Sequence, residues 1–183
     1  MLSLNKTEMK NKVFVVTLLL LSFTKIHAQD ADYKNVRSVN AIIQTLYDVI
    51  SGPVGKDRDW DTFRSLFATD ARLYVAYPSQ DSGAVLRTMT PDEYANKNKT
   101  RLADVGFKEE EVHRTTERYG AITHVFSTYE SHFINTNNEE DTVKGINSIQ
   151  LFNDGSRYYI LSICWDANSK NIPVPEYPGE NQQ

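Results

Sequence analysis

Two apolar runs, Asp141 to Phe152 and Ser156 to Trp165, are joined by Asn153-Asp154-Gly155, and this junction constrains the fold more than any other stretch. Asp-Gly between two strand-like runs is the strongest short-range hairpin signal in a sequence. The preceding run, Ala121 to Ile134, is built the same way and follows a polar run, Glu109 to Arg118, across a Tyr119-Gly120 turn. Four consecutive antiparallel strands are therefore expected in the second half. With Asp154-Gly155 as a two-residue loop, Asn153 pairs with Ser156, Ile149 faces Ile160, Asn147 faces Ser162 and Gly145 faces Cys164. Both faces of such a sheet are substantially apolar, so both need cover.

The first half supplies that cover on one side. Val36, Val39, Ile43, Leu46, Tyr47 and Ile50 recur at helical spacing, with Asp32 as the expected N-cap and Ser51-Gly52-Pro53 as the stop. Asp59 is placed to cap a shorter helix whose buried side is Trp60, Phe63, Leu66 and Phe67. Arg72 to Tyr77 and Ala84 to Met89 read as two short strands. Thr90-Pro91-Asp92-Glu93 then combines a cap, a proline at the first helical position and a capping box. That third helix should run to about Val105, stop at Gly106, and turn Tyr94, Leu102 and Val105 inward. Three helices cover one face of the sheet, and the other predicts a second copy of the chain, a homodimer.

Residues 1–28 are set aside from the fold. Lys6, Lys10 and Lys12, the apolar run Val13 to Leu21 and a cleavage region over Ser22 to Ala28 read as a secretory signal peptide. The expected organisation is a leader over 1–28, one domain over 29–167 and an extended tail over 168–183 with Pro173, Pro175 and Pro178. The expected location is periplasmic or secreted. The leader takes four lysines and one glutamate with it, so the net charge of the chain passes from −4 to −7. An acidic chain with no basic cluster argues against nucleic acid or an anionic membrane as partner. Cys164 stands alone, which excludes an internal disulfide, and its apolar strand predicts burial.

No nucleophile elbow, phosphate loop or zinc-ligand spacing is present, so no metal or cofactor is expected. Asn147 opposite Ser162, among isoleucines, is either a self-satisfied pair or the lining of a pocket. Alternation along Ala121 to Ile134 puts His124, Phe126, Thr128, Glu130 and His132 on one side, and Val125, Ser127, Tyr129, Ser131 and Phe133 on the other. Which set faces the helices is left open, because a one-residue slip exchanges them. Tyr47 and Tyr74 are candidates to turn hydroxyls into a shared cavity, or are core aromatics with satisfied tips.

Three stretches carry a resemblance. They are Tyr47-Asp48-Val49-Ile50-Ser51-Gly52-Pro53 with the Asp59 to Phe67 segment; His124-Val125-Phe126-Ser127-Thr128-Tyr129-Glu130; and Gly145 to Leu151 leading to Cys164-Trp165-Asp166. Together they resemble the nuclear transport factor 2-like, SnoaL-like superfamily, in an uncharacterised exported bacterial branch. The resemblance implies an α+β fold in which a cone-shaped, curved antiparallel sheet of about six strands packs against three helices around an apolar cavity. It also implies dimers formed through the sheet. Two functions are expected from it. One is a small-molecule pocket with lyase- or isomerase-type acid–base chemistry, Glu130 as catalytic group, and Tyr47, Tyr74, His124, Thr128, Asn147 and Ser162 around the ligand. The other is a non-catalytic binding or assembly module.

Overall fold

The computed structural model describes residues 36–79, 83–166 and 172–176. Residues 1–28, expected as a leader, and most of the expected tail lie outside the described residues. So does Asp32. The first helix, α1 (Val39–Ile50), is capped by Ser38, whose side chain accepts from the Ala41 amide. Its buried stripe of Ile42, Ile43, Leu46, Tyr47 and Ile50 follows the helical period. Helix α2 (Trp60–Ser65) is capped by Asp59 as expected, through the Thr62 amide at 2.9 Å.

Phe67, expected on α2, instead opens strand β1 (Phe67–Ser79), because α2 is only a turn and a half long. Strand β2 (Gly83–Met89) returns against it. Helix α3 (Pro91–Asp104) carries the full capping box, with Thr90 bonded to the Glu93 amide and Glu93 bonded back to the Thr90 amide. Then follow β3 (Lys108–Tyr119), β4 (Ile122–Ile134), β5 (Glu140–Asn153) and β6 (Tyr158–Asp166).

The described strands form one six-stranded sheet in the order β2-β1-β6-β5-β4-β3. Its pairings are antiparallel except one. β1 runs parallel to β6, with Leu73 beside Ile163 and Val75 beside Trp165, so the sheet is mixed rather than purely antiparallel. Such a pairing joins segments far apart in sequence, and no turn signal announces it. The core lies between the helices and the inner face, where Leu73, Val75, Val125, Ile149, Leu151 and Ile160 are almost fully buried.

Two β-bulges reset which side chains face inward. The β5–β6 loop is longer than two residues: Asn153 pairs with Tyr158, and the Asp154 carboxylate accepts from the Ser156 amide at 2.8 Å and the Arg157 amide at 2.9 Å. These donors hold Asp154 down at a pKa of about 2. Leu151 then pairs with Ile160, but Gln150 pairs with Ser162, leaving Leu161 as the extra residue. The bulge moves Ile163 and Trp165 to the inner face and Ser162 and Cys164 to the outer. Asn147 consequently stands opposite Trp165, not Ser162, and Cys164 is exposed rather than buried. A second bulge, at Val112 between Glu111 and His113, acts alike on β3. It leaves Glu109, Glu111 and Arg114 on one face of the strand.

Candidate functional site

A cavity of about 680 Å³ opens between the helices and the inner face of the sheet. That volume suits a drug-sized or smaller organic molecule. The exposed members of its lining, Lys97, Arg101, Thr136 and Asp166, mark the mouth, and the buried ones, Leu46, Ile50, Phe63 and Asn147, mark the floor. The walls are mainly apolar and aromatic. Phe107 stacks on Phe133 with centroids 6.4 Å apart, and Tyr94 meets Trp165 edge-on at 6.2 Å.

Glu109 is the carboxylic acid of this interior. The stop of α1 sets its backbone: Ser51 Oγ accepts from the Glu109 amide at 2.8 Å and donates to its carbonyl at 3.1 Å, while the Gly52 amide donates to Phe107 at 2.8 Å. The Ser51-Gly52-Pro53 stop therefore also registers the start of β3. Glu109 is half-buried in the cavity wall, and loss of hydration pushes its pKa up to about 8, against the opposing pull of a hydrogen bond from Asn147. At neutral pH it is largely protonated and able to donate a proton or a hydrogen bond.

Asn147 joins this acid to a polar chain through the core. Its Nδ2 donates to Glu109 Oε1 at 3.3 Å and to Tyr47 Oη at 3.1 Å. Tyr47 Oη lies 2.8 Å from Ser127 Oγ, and Ser127 donates to Glu111. Since Tyr47 already receives from Asn147, its own hydrogen points to Ser127, and the run has one direction. Arg114 closes it: Nε donates to both Glu111 oxygens at 2.9 and 3.0 Å, and Nη1 donates to Asn40 at 2.8 Å. Burial first, then the charge of Glu109, raise the Tyr47 hydroxyl well above the usual phenol range. Tyr47 stays a neutral hydroxyl.

Of the residues expected at the site, Asn147 lies at the cavity floor, and Tyr47 lies behind it in the core, bonded to it. The structure turns the others away. Tyr74 lies between the buried Leu73 and Val75 in β1 and so points to the outer face. His124, Thr128 and Glu130 share the outer face of β4, because Val125, Ser127 and Tyr129 occupy the inner one. Ser162 faces outward through the Leu161 bulge.

Glu130 in particular meets Lys144 at 2.8 Å and His132 at 3.1 Å on that outer face, and Lys144 first of all holds its carboxyl below the usual range. That is the reverse of what a neutral general acid requires. His124 instead bonds Ser148 at 3.0 Å. Glu110, Glu130 and His132 bring ligand atoms within 4.8 Å of one another, but Lys144 already supplies positive charge there. Sequence reading missed Glu109 and Glu111. The available signal was the alternation Phe107, Glu109, Glu111 immediately after the Gly106 helix stop.

No family model matches the sequence, and no curated protein sequence matches it. Solved structures do match. A candidate aromatic ring hydroxylase from Novosphingobium aromaticivorans is similar with a TM-score of 0.54 at 10% identity, over 75% of this chain and 89% of that one. A nuclear transport factor 2-like superfamily protein from Salmonella enterica gives 0.52 at 13% identity, over 77% and 92%. A candidate dehydratase of that family from Streptomyces avermitilis gives 0.52 at 12% identity, over 81% and 99%. The fold is thus the α+β cone of nuclear transport factor 2-like proteins, a curved mixed sheet with three helices.

Proposed function

We propose that this protein binds an organic small molecule inside the cone and that Glu109 acts on it as proton donor and acceptor. One observation carries the reading: the Glu109 carboxyl, bonded to Asn147 and pushed up to a pKa of about 8, faces a cavity whose waist is apolar and aromatic. Such a group takes a proton from carbon beside a carbonyl and returns it, the elementary step of isomerases and of dehydrating lyases. Asn147 holds Glu109 in place. Among fold neighbours, the candidate dehydratase and the candidate ring hydroxylase are compatible with a cavity used for small organic substrates. The basic, apolar leader supports export to a periplasmic or secreted location.

The test uses 2-tetralone, a ketone with acidic α-protons, in deuterium oxide. Wild-type protein is expected to accelerate α-proton exchange followed by NMR, and Glu109→Gln to lose that acceleration while still binding the ketone. Equal exchange rates in the two proteins would remove Glu109 from the chemistry.

A second reading, a non-catalytic module that assembles through its sheet, is favoured by Phe126, Phe152 and Leu161, large apolar side chains exposed on the outer face. Sedimentation at micromolar concentration tests it directly. A homodimer is expected.

A further inference from the structure

Lys97 and Arg101 stand four residues apart on α3, both exposed and both lining the mouth of the cavity. That spacing places their charges on one flank of the helix, where two cations repel. Among the described residues neither belongs to an ion pair. Other arginines do find carboxylates: Arg64 meets Asp61 and Asp92 at the surface of α2, and Arg114 meets Glu111 on β3. Asp166, the other carboxylate of the lining besides Glu109, is not free. The charge of Arg101 also reaches inward, since it acts on the Tyr94 hydroxyl in the cavity wall. From mouth to floor the cavity thus offers two unmatched cations, then an aromatic and aliphatic waist, then the carboxyl and amide of Glu109 and Asn147.

We infer that the molecule this cavity takes is an apolar organic acid, its carboxylate held at the mouth by Lys97 and Arg101 and an oxygen at its far end received by Glu109 and Asn147. The inference rests on the small-molecule reading above and names the class of ligand. Each part of the cavity contributes differently. Cations at a mouth draw anions and orient them on entry. A body without charge suits walls such as Leu73, Met89, Phe133 and Trp165, which offer few hydrogen bonds. The floor then selects for a hydroxyl or carbonyl, because the Glu109 carboxyl is bonded by Asn147 through Oε1 and a hydrocarbon would offer nothing to its other oxygen. The orientation also places the reacting oxygen at the acid, with the charged end left in water.

The probes are 6-hydroxy-2-naphthoate and its methyl ester, alike in shape and in the distal hydroxyl but different in charge. Titration calorimetry on wild-type protein is expected to show the acid binding about tenfold more tightly than the ester, a factor equivalent to about 1.4 kcal/mol. The Lys97→Gln/Arg101→Gln double variant should erase that preference, bringing the acid to the affinity of the ester. Added salt should weaken the acid alone.

Equal binding of acid and ester by wild type overturns the assignment of charge but leaves the cavity as a binding site. A preference that survives in the double variant overturns the role of Lys97 and Arg101. Failure of both compounds to bind at about millimolar concentration counts against the small-molecule reading itself. Both substituted residues are exposed, so the fold should persist. If the double variant fails to fold, each single variant and the salt titration of wild type carry the same comparison.

Discussion

Asn147 Nδ2 lies 3.1 Å from Tyr47 Oη, one hundred residues away in sequence, and this bond ties the central strand β5 to the buried face of α1. Tyr47 receives from Asn147 and passes its own hydrogen to Ser127, so one hydroxyl satisfies two buried neighbours. Tyr47→Phe keeps the ring and deletes that link. Leaving a buried polar partner unmatched costs about 1–3 kcal/mol. The expected outcome is a loss of that size in urea unfolding. Ester binding at the cavity should change much less, because Glu109 retains its bond from Asn147.

Glu109 makes stability depend on pH with a definite sign. Its pKa is about 8 in the folded protein, against about 4.3 for an unperturbed glutamate. Between those values the folded state holds a proton that the unfolded state has released. Stability therefore falls as pH rises through this window, by up to about 1.4 kcal/mol per pH unit from this group. The penalty is absent below about pH 4 and complete above about pH 8. Glu109→Gln mimics the protonated acid and should remove this component. Urea midpoints from pH 5 to 9, compared between the two proteins, check it. Parallel pH dependences would show that Glu109 is not the group responsible.

Arg58 organises the corner that carries Glu109. Its guanidinium donates to the carbonyls of Ile50 at 3.0 Å, Gly52 at 2.7 Å, Leu102 at 2.8 Å and Phe107 at 3.2 Å. Those carbonyls belong to the ends of α1 and α3 and the approach to β3, where backbone acceptors lack helical partners. Lysine lacks the planar fork. Arg58→Lys is expected to cost about 3 kcal/mol in urea unfolding, as for hydrogen bonds from a charged donor to buried carbonyls. Gly52 offers an independent check, since a Cβ there would lie 2.6 Å from Arg58 Nη1. Gly52→Ala should destabilise wild type more than Arg58→Met protein, a coupling that a double-mutant cycle measures.

What could be read ahead of the structure was local. Asp59 and the Thr90–Glu93 box work through side chains bonded to amides three residues away, so their signals survive without tertiary context. The Tyr119-Gly120 turn also stands, with Tyr119 paired to Ile122 and Gly120 at φ 57°. The site depended on longer-range geometry. A bulge arises from how two strands pair, and each bulge here reversed the face of every residue beyond it. Ser162 left the cavity in that way, while Glu109 and Glu111 lay hidden in a run charged on both faces. Arg58 was unreadable for another reason: its acceptors are backbone carbonyls, which leave no mark on residue identity.

The Leu161 bulge also turns Cys164 into a reporter for the outer face. It sits beside Ser148 on β5 and Tyr74 on β1, near the exposed Leu161. A thiol exposed on the folded chain should react with an aromatic disulfide reagent without unfolding. If two copies close over this face, the reaction should slow as protein concentration rises, following the same midpoint as dimer formation in sedimentation. Leu161→Asp places a charge on the β6 side of the apolar patch, where pairing would bury it without a partner. That variant should stay monomeric and keep Cys164 reactive at every concentration. A wild-type dimer that leaves Cys164 equally reactive would place the contact away from the part of this face where Cys164 lies between Ser148 and Tyr74.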